Sequence, residues 1–162
     1  MTADFRLKVD ELEPNATIPE KYVFNDFGCS GANHSPALSW SGAPNDTKSF
    51  AITVYDPDAP TGSRWWHWVV FNIPASTTNI PEGSGGATNL PSGAVQSMTD
   101  FGKPGYGGPC PPPGEPHRYI FTAHALKTDK LDLDESASGA MVGFFLGQNT
   151  IAKASVTLRY GR

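Results

Sequence analysis

The glycines and prolines of this chain fall between its aromatic and β-branched runs, not inside them. There are 17 glycines and 15 prolines. So many turn formers cut the chain into short extended pieces and argue against a helical bundle. The runs between them are apolar enough to build a core, so the density of turns does not signal disorder. Phe5 to Val9 alternates apolar and polar residues, as a half-buried strand does. Ala37-Leu38-Ser39-Trp40 reads as a short strand after a turn that begins at Asn33. Ser49 to Tyr55 is the strongest buried-strand signal. It stops at Asp56-Pro57, because proline cannot continue a central ladder. Trp65 to Ile73, ended by Pro74, and His117 to Leu126 are two further core strands. Residues 75–100 read as a long surface excursion with one short strand near Ala94-Val95-Gln96. A loop of that length usually carries a function or its own packing.

One helix is expected, from Ser136 to about Asn149, capped by Asp134 or Ser136. Ala140, Met141, Phe144 and Phe145 share one face of it, and that face should pack on a sheet. Gly139, Gly143 and Gly147 lie four apart and would allow close approach, at a propensity cost of about 1 kcal/mol each. Ala154 to Tyr160 closes the chain as a strand. The pattern predicts one mainly β domain, a two-sheet sandwich with a peripheral helix. At 162 residues the chain can bury one core, about two-thirds of the surface its unfolded form exposes.

Charge narrows the partners. The net charge is −4, from 12 basic and 16 acidic residues. No basic stripe exists, which argues against nucleic acid. No apolar run approaches the ~20 residues of a membrane span. Met1-Thr2-Ala3-Asp4-Phe5 has neither the basic start nor the apolar middle of a signal peptide. A cytoplasmic address is therefore expected, or a periplasmic or secreted one if a leader was removed. Cys29 and Cys110 match no zinc or redox spacing. Two buried thiols and one disulfide both remain open. A disulfide would close a loop worth roughly 4–5 kcal/mol in the chain-entropy account, and would mark an oxidising compartment. The Asn-x-Ser/Thr triplets at Asn15, Asn33 and Asn45 are common by chance and carry no weight.

Three loop-to-strand junctions concentrate polar groups. Asp56-Pro57-Asp58-Ala59-Pro60 holds two carboxylates on a backbone stiffened by proline. Trp65-Trp66-His67-Trp68 sets one histidine among three indoles. Gly105 to Gly114, followed by His117-Arg118-Tyr119, is a turn-rich loop whose glycine amides can turn toward an anion. Taken singly, each has a plainer reading as a turn, a core histidine or a loop. Arg118 lies on a strand expected to be buried, so a structural ion pair with Asp56 or Asp58 is expected. The functional reading comes from the combination.

These motifs resemble the phosphatidylethanolamine-binding protein family, also called the Raf kinase inhibitor protein family, and most of all its small bacterial branch. Asp56 to Pro60 with Trp65 to Trp68 is similar to the first family signature, and Gly105 to Tyr119 to the second. Ser35-Pro36 with Trp40, and Ser138 to Gly143, extend the match over nearly the whole chain. The resemblance implies an antiparallel Greek-key sandwich with a pocket for phosphate, phosphoethanolamine or a similar anion. Carried over, that pocket comprises Asp56, Trp65, His67, Gly108, Cys110, Pro111, His117 and Tyr119, with Asp58 in support. It implies a binding protein, not an enzyme, with no cofactor and no metal. It also implies a regulatory role toward a kinase or protease and a homodimer. Some bacterial members carry cysteines at both matching positions, which keeps the Cys29–Cys110 disulfide beside the free-thiol reading. Two departures stand out. Cys110 replaces a small residue, and the chain ends at Arg162 without the extended C-terminal helix of eukaryotic members. Kinase inhibition is the weakest carry-over for that reason.

In this reading His67 and His117 donate to ligand oxygens, with Gly108 and neighbouring amides adding donors, each worth about 1.5–3 kcal/mol to a charged acceptor. Arg118 pairs with Asp58, and Asp56 orients a histidine. Trp65 and one of Trp66 or Trp68 alternate between pocket mouth and core. The competing readings are a small hydrolase or metal-dependent enzyme using the Asp/His cluster, and a serine protease inhibitor working through residues 75–100.

Overall fold

The computed structural model describes residues 4–86 and 89–162. Met1 to Ala3, part of the N-terminal reading, and two residues of the 75–100 stretch lie outside the described residues. The chain runs β1 (Arg6–Val9), β2 (Leu38–Ser41), β3 (Ser49–Asp56), β4 (Trp65–Pro74), β5 (Asn79–Ile80), β6 (Val95–Gln96), β7 (His117–Leu126), α1 (Gly139–Asn149) and β8 (Thr150–Tyr160). Two antiparallel sheets form. The smaller has the order β1-β2-β5 and the larger β6-β4-β3-β7-β8.

The larger sheet is buried on both faces. Toward the smaller sheet, Phe50, Ile52, Val54, Trp68, Val70, Phe121 and Leu158 meet Leu7, Val9, Leu38, Trp40 and Ile80. On the opposite face, Ala51, Val69, Phe71 and Leu126 lie under Val142 and Leu146 of α1. This double burial explains why β3 reads as a continuous apolar run and not as an alternating one.

Five expectations change. Ser138, not Asp134 or Ser136, caps α1, its hydroxyl accepting from the Met141 amide at 3.0 Å. The buried face of α1 is Gly139, Val142 and Leu146. Met141 and Phe144, expected inside, are 49% and 62% exposed. Gly139 does allow close approach, since a Cβ there would lie 2.4 Å from the Trp66 ring, but at Gly147 nothing lies within 4 Å. β8 begins at Thr150, directly after the helix. Residues 75–100 are more than a surface excursion, because Ile80, Ser84, Ser97 and Thr99 are buried and β5 and β6 each join a sheet.

β4 contains two irregularities. Val54 pairs with Trp68 and Tyr55 with Trp66, so His67 is the extra residue of a bulge. Phe50 pairs with Ile73 and Ile52 with Val70, and near this second irregularity Asn72 takes φ 60°. Bulges re-aim side chains, and they recur beside binding sites.

Candidate functional site

At one end of the larger sheet the termini of β3, β4 and β7 converge. β3 ends at Asp56, β4 starts at Trp65 and β7 starts at His117. The Asp56–Trp65 pair closes the ladder there. A cavity of about 170 Å³ opens at this edge, lined among others by Asp56, Trp65, His67, Cys110, His117 and Tyr119.

His67 is held from both ends by one residue. Its carbonyl accepts from the Gly107 amide at 2.9 Å, and its Nδ1 lies 2.7 Å from the Gly107 carbonyl. A carbonyl oxygen only accepts, so Nδ1 carries the proton. The ring is packed edge-on against Phe101 and Tyr119, with centroids 5.4 and 5.2 Å away. Burial drives its pKa down to about 4, against the opposing pull of the Gly107 carbonyl and Asp56. His67 is therefore neutral near pH 7, and its free nitrogen, Nε2, is an acceptor.

His117 repeats the arrangement with a different partner. Its Nδ1 sits 2.7 Å from Asp56 Oδ2. The other Asp56 oxygen accepts from the Asp58 amide at 2.8 Å. Asp56 is buried, and both its oxygens are directed to neighbours. Asp58 turns away from the cavity and takes a two-pronged contact from Arg118, Nε at 3.0 Å and Nη2 at 2.9 Å, plus the Arg118 amide at 2.9 Å. The Arg118 hydrogen bonds hold the Asp58 carboxyl down at about 2. Arg118 itself is exposed, unlike the buried residue the strand pattern predicted.

Of the expected site residues, Asp56, Trp65, His67, Cys110, Pro111, His117 and Tyr119 line the cavity, while Asp58 and Gly108 do not. The glycine amides do not form an anion nest. Tyr106 N donates to the Gly85 carbonyl, Gly107 N to the His67 carbonyl, and Gly108 N to Asn33 Oδ1 at 2.7 Å. Gly108 is a packing glycine, since a Cβ there would lie 2.1 Å from the Tyr22 carbonyl. Between Gly108 and Gly114 only Cys110 has an amide proton, because residues 109 and 111–113 are prolines. Asn33 fastens the loop by also donating to the Tyr106 carbonyl at 3.3 Å.

Cys29 and Cys110 form a disulfide. It ties the wall that carries Cys110 to the turn that carries Phe27, the exposed aromatic at the mouth. Phe27 and Phe101 were missed in the sequence. Both lie in turn-rich stretches with no periodicity, so no local signal marks them. Among the described residues no group of three or more His, Cys, Asp or Glu side chains could hold a metal ion, and no helix is long and apolar enough to cross a membrane.

The model of the family described as phosphatidylethanolamine-binding protein matches residues 8–161. The chain belongs to that family. Among its relatives, the Escherichia coli UPF0098 protein YbcL is 52% identical over 161 residues, covering 98% of this chain and 88% of YbcL. YbhB of the same organism is 52% identical over 156 residues, covering 96% of this chain and 99% of YbhB. The crystal structure of YbcL, described as a new member of the mammalian PEBP family, superposes with a TM-score of 0.96 over 99% of both chains. A homologue from Chlamydia trachomatis, 31% identical, gives 0.83 over 99% of both chains. As a phosphatidylethanolamine-binding protein family member, the chain shares with these relatives the two-sheet architecture whose edge carries the cavity.

Proposed function

We propose that this family member binds a small oxyanion, phosphate or a phosphoethanolamine-like headgroup, between His67 and His117 and does not turn it over. The observation that carries this reading is the convergence of two oriented imidazoles on one small hollow with largely apolar walls. About 170 Å³ is headgroup-sized, below the ~300–1,000 Å³ of drug-sized pockets. The binding reading gains support from the cysteine and the threonine of the lining, both of which are engaged elsewhere. Cys110 is bonded to Cys29, and the Thr61 hydroxyl donates to the Arg64 carbonyl.

In this reading, occupancy of the pocket is the signal and a protein partner reads it, a kinase, a protease or a second copy of the chain. The disulfide supports an oxidising compartment over the cytoplasmic address expected from the N-terminus. Thermal unfolding with millimolar phosphate or phosphoethanolamine tests the pocket. Stabilisation in the parent that vanishes in His117→Ala is the expected result. Turnover of phosphoesters that disappears in His67→Ala would overturn it in favour of an enzyme. Sedimentation with and without phosphate tests the homodimer.

A further inference from the structure

We infer that the pocket, read as an oxyanion site, takes its ligand as a proton donor: a singly charged phosphomonoester whose P–OH meets Nε2 of His67. The inference rests on the oxyanion reading and deepens it. Each imidazole spends its Nδ1 proton away from the cavity, on the Gly107 carbonyl and on Asp56. Neither Nε2 has a partner among the described residues, and neither is among the fully enclosed unpartnered atoms, so both open on the hollow. The neutral His67 imidazole thus presents an acceptor to the hollow. Asp56 adds a carboxylate, and no Lys or Arg lines the cavity.

The remaining charges do not change this balance. Around His67 stand Asp56 from β3 and Asp100 from the loop before Phe101, both negative. Tyr119 from β7 and Tyr106 are kept protonated by burial. Near His117, Arg118 is already committed to Asp58, while Tyr160 and Arg159 lie across the ladder on β8. Two lining groups without partners among the described residues can donate, the Tyr119 hydroxyl and the Cys110 amide. A lining of mixed donors and acceptors fits an oxyanion that keeps one proton. A dianion would face the His67 lone pair and a carboxylate, and a diester has no proton to give.

The test is calorimetric titration of the intact, disulfide-bonded chain with methyl phosphate, dimethyl phosphate, sulfate and glycerophosphoethanolamine. At pH 6 methyl phosphate should bind at least about tenfold more tightly than the other three, because none of them brings a P–OH to the His67 Nε2 acceptor. Its affinity should fall about tenfold between pH 7 and 8, since a phosphomonoester loses its second proton near pH 6. Sulfate binding as well as methyl phosphate at pH 6 would overturn the inference, placing the proton on an imidazole, yet leave the oxyanion site standing. Equal binding of glycerophosphoethanolamine would overturn it in favour of an ammonium donor from an intact headgroup. If none of the four binds, the oxyanion reading falls and this inference with it.

Discussion

Asp56 sets the direction of the hydrogen bond at His117. Its carboxylate oxygen only accepts, so the hydrogen bond runs from Nδ1 of His117 to Asp56. Asp56→Asn removes the charge and offers an amide N–H in the same place. With that N–H facing Nδ1, Nδ1 must accept, so the imidazole proton sits on Nε2 and donates to the cavity. Sulfate should then bind about tenfold more tightly than to the parent, the value of one modest charge-assisted hydrogen bond. Titration of the two proteins with sulfate at pH 7 reads the change, and an affinity that drops instead would refute the proton assignment at His117. His67 makes a separate prediction about stability. Its folded pKa lies near 4, against about 6.5 unfolded. Between those values the unfolded chain binds more protons than the folded one, so stability falls as pH drops. The loss is absent above about pH 6.5 and complete near pH 4, on the order of 3 kcal/mol for this residue. His124, also lowered to about 4 by burial, acts in the same direction. Urea denaturation from pH 7 to 4 should show the parent losing clearly more stability than His67→Phe, which cannot take up the proton. The Asp58–Arg118 pair does not contribute in this window. Its carboxyl lies at about 2, so its share is lost only under stronger acid.

At the element scale, α1 carries two glycines whose replacement should have opposite signs. A Cβ at Gly139 would meet the Trp66 ring at 2.4 Å, whereas at Gly147 it would meet nothing within 4 Å. Gly139→Ala should therefore cost about 1–3 kcal/mol through overpacking. Gly147→Ala should add up to about 1 kcal/mol through helix propensity. Chemical denaturation of both variants checks the pair, and equal shifts would mean that Trp66 moves aside. The same helix explains one limit of the sequence. Its apolar residues surround it on all sides, so periodicity did not single out Val142 and Leu146 over Met141 and Phe144. Strands were legible as long as their side chains kept period two. At His67 that period breaks: Trp66 packs on the helix side of the sheet and Trp68 between the sheets, though both are even positions. The extra residue flips the parity, and near Asn72 it flips back, with Phe71 on the helix side and Ile73 between the sheets. No residue type announces such a bulge in advance. The site was legible where its residues are neighbours in sequence, as in Asp56 to Pro60 and Trp65 to Trp68. The anion nest failed because glycine density does not say whether an amide is already spoken for, and Asn33, from a distant turn, claims that of Gly108.

For the molecule as a whole, the cavity depends on two stretches that are far apart in the chain. The Cys29–Cys110 disulfide spans 81 residues, and closing such a loop restricts the unfolded chain by roughly 4–5 kcal/mol. The folded arrangement has other fasteners between the same stretches. Phe24 N donates to the Pro109 carbonyl at 3.0 Å and Tyr106 Oη to the Tyr22 carbonyl at 2.7 Å. Asn33 grips the loop twice, and Arg162 donates to the carbonyls of Pro111 and Gly28. Most of the disulfide's effect should thus act on the unfolded state. The double variant Cys29→Ser/Cys110→Ser should keep a native near-ultraviolet spectrum while its urea midpoint drops by an amount approaching that energy. Phosphate affinity is a finer probe, because Phe27 sits at the tip of the tied turn, beyond the reach of Asn33. With the tie cut, the mouth of the cavity gains freedom that binding must remove, and affinity should weaken severalfold while the imidazoles stay in place. An unchanged midpoint would show that the remaining fasteners already order the unfolded chain there. An unchanged affinity would show that Arg162 and the packing of Phe27 on Phe24 and Phe101 set the turn without the disulfide.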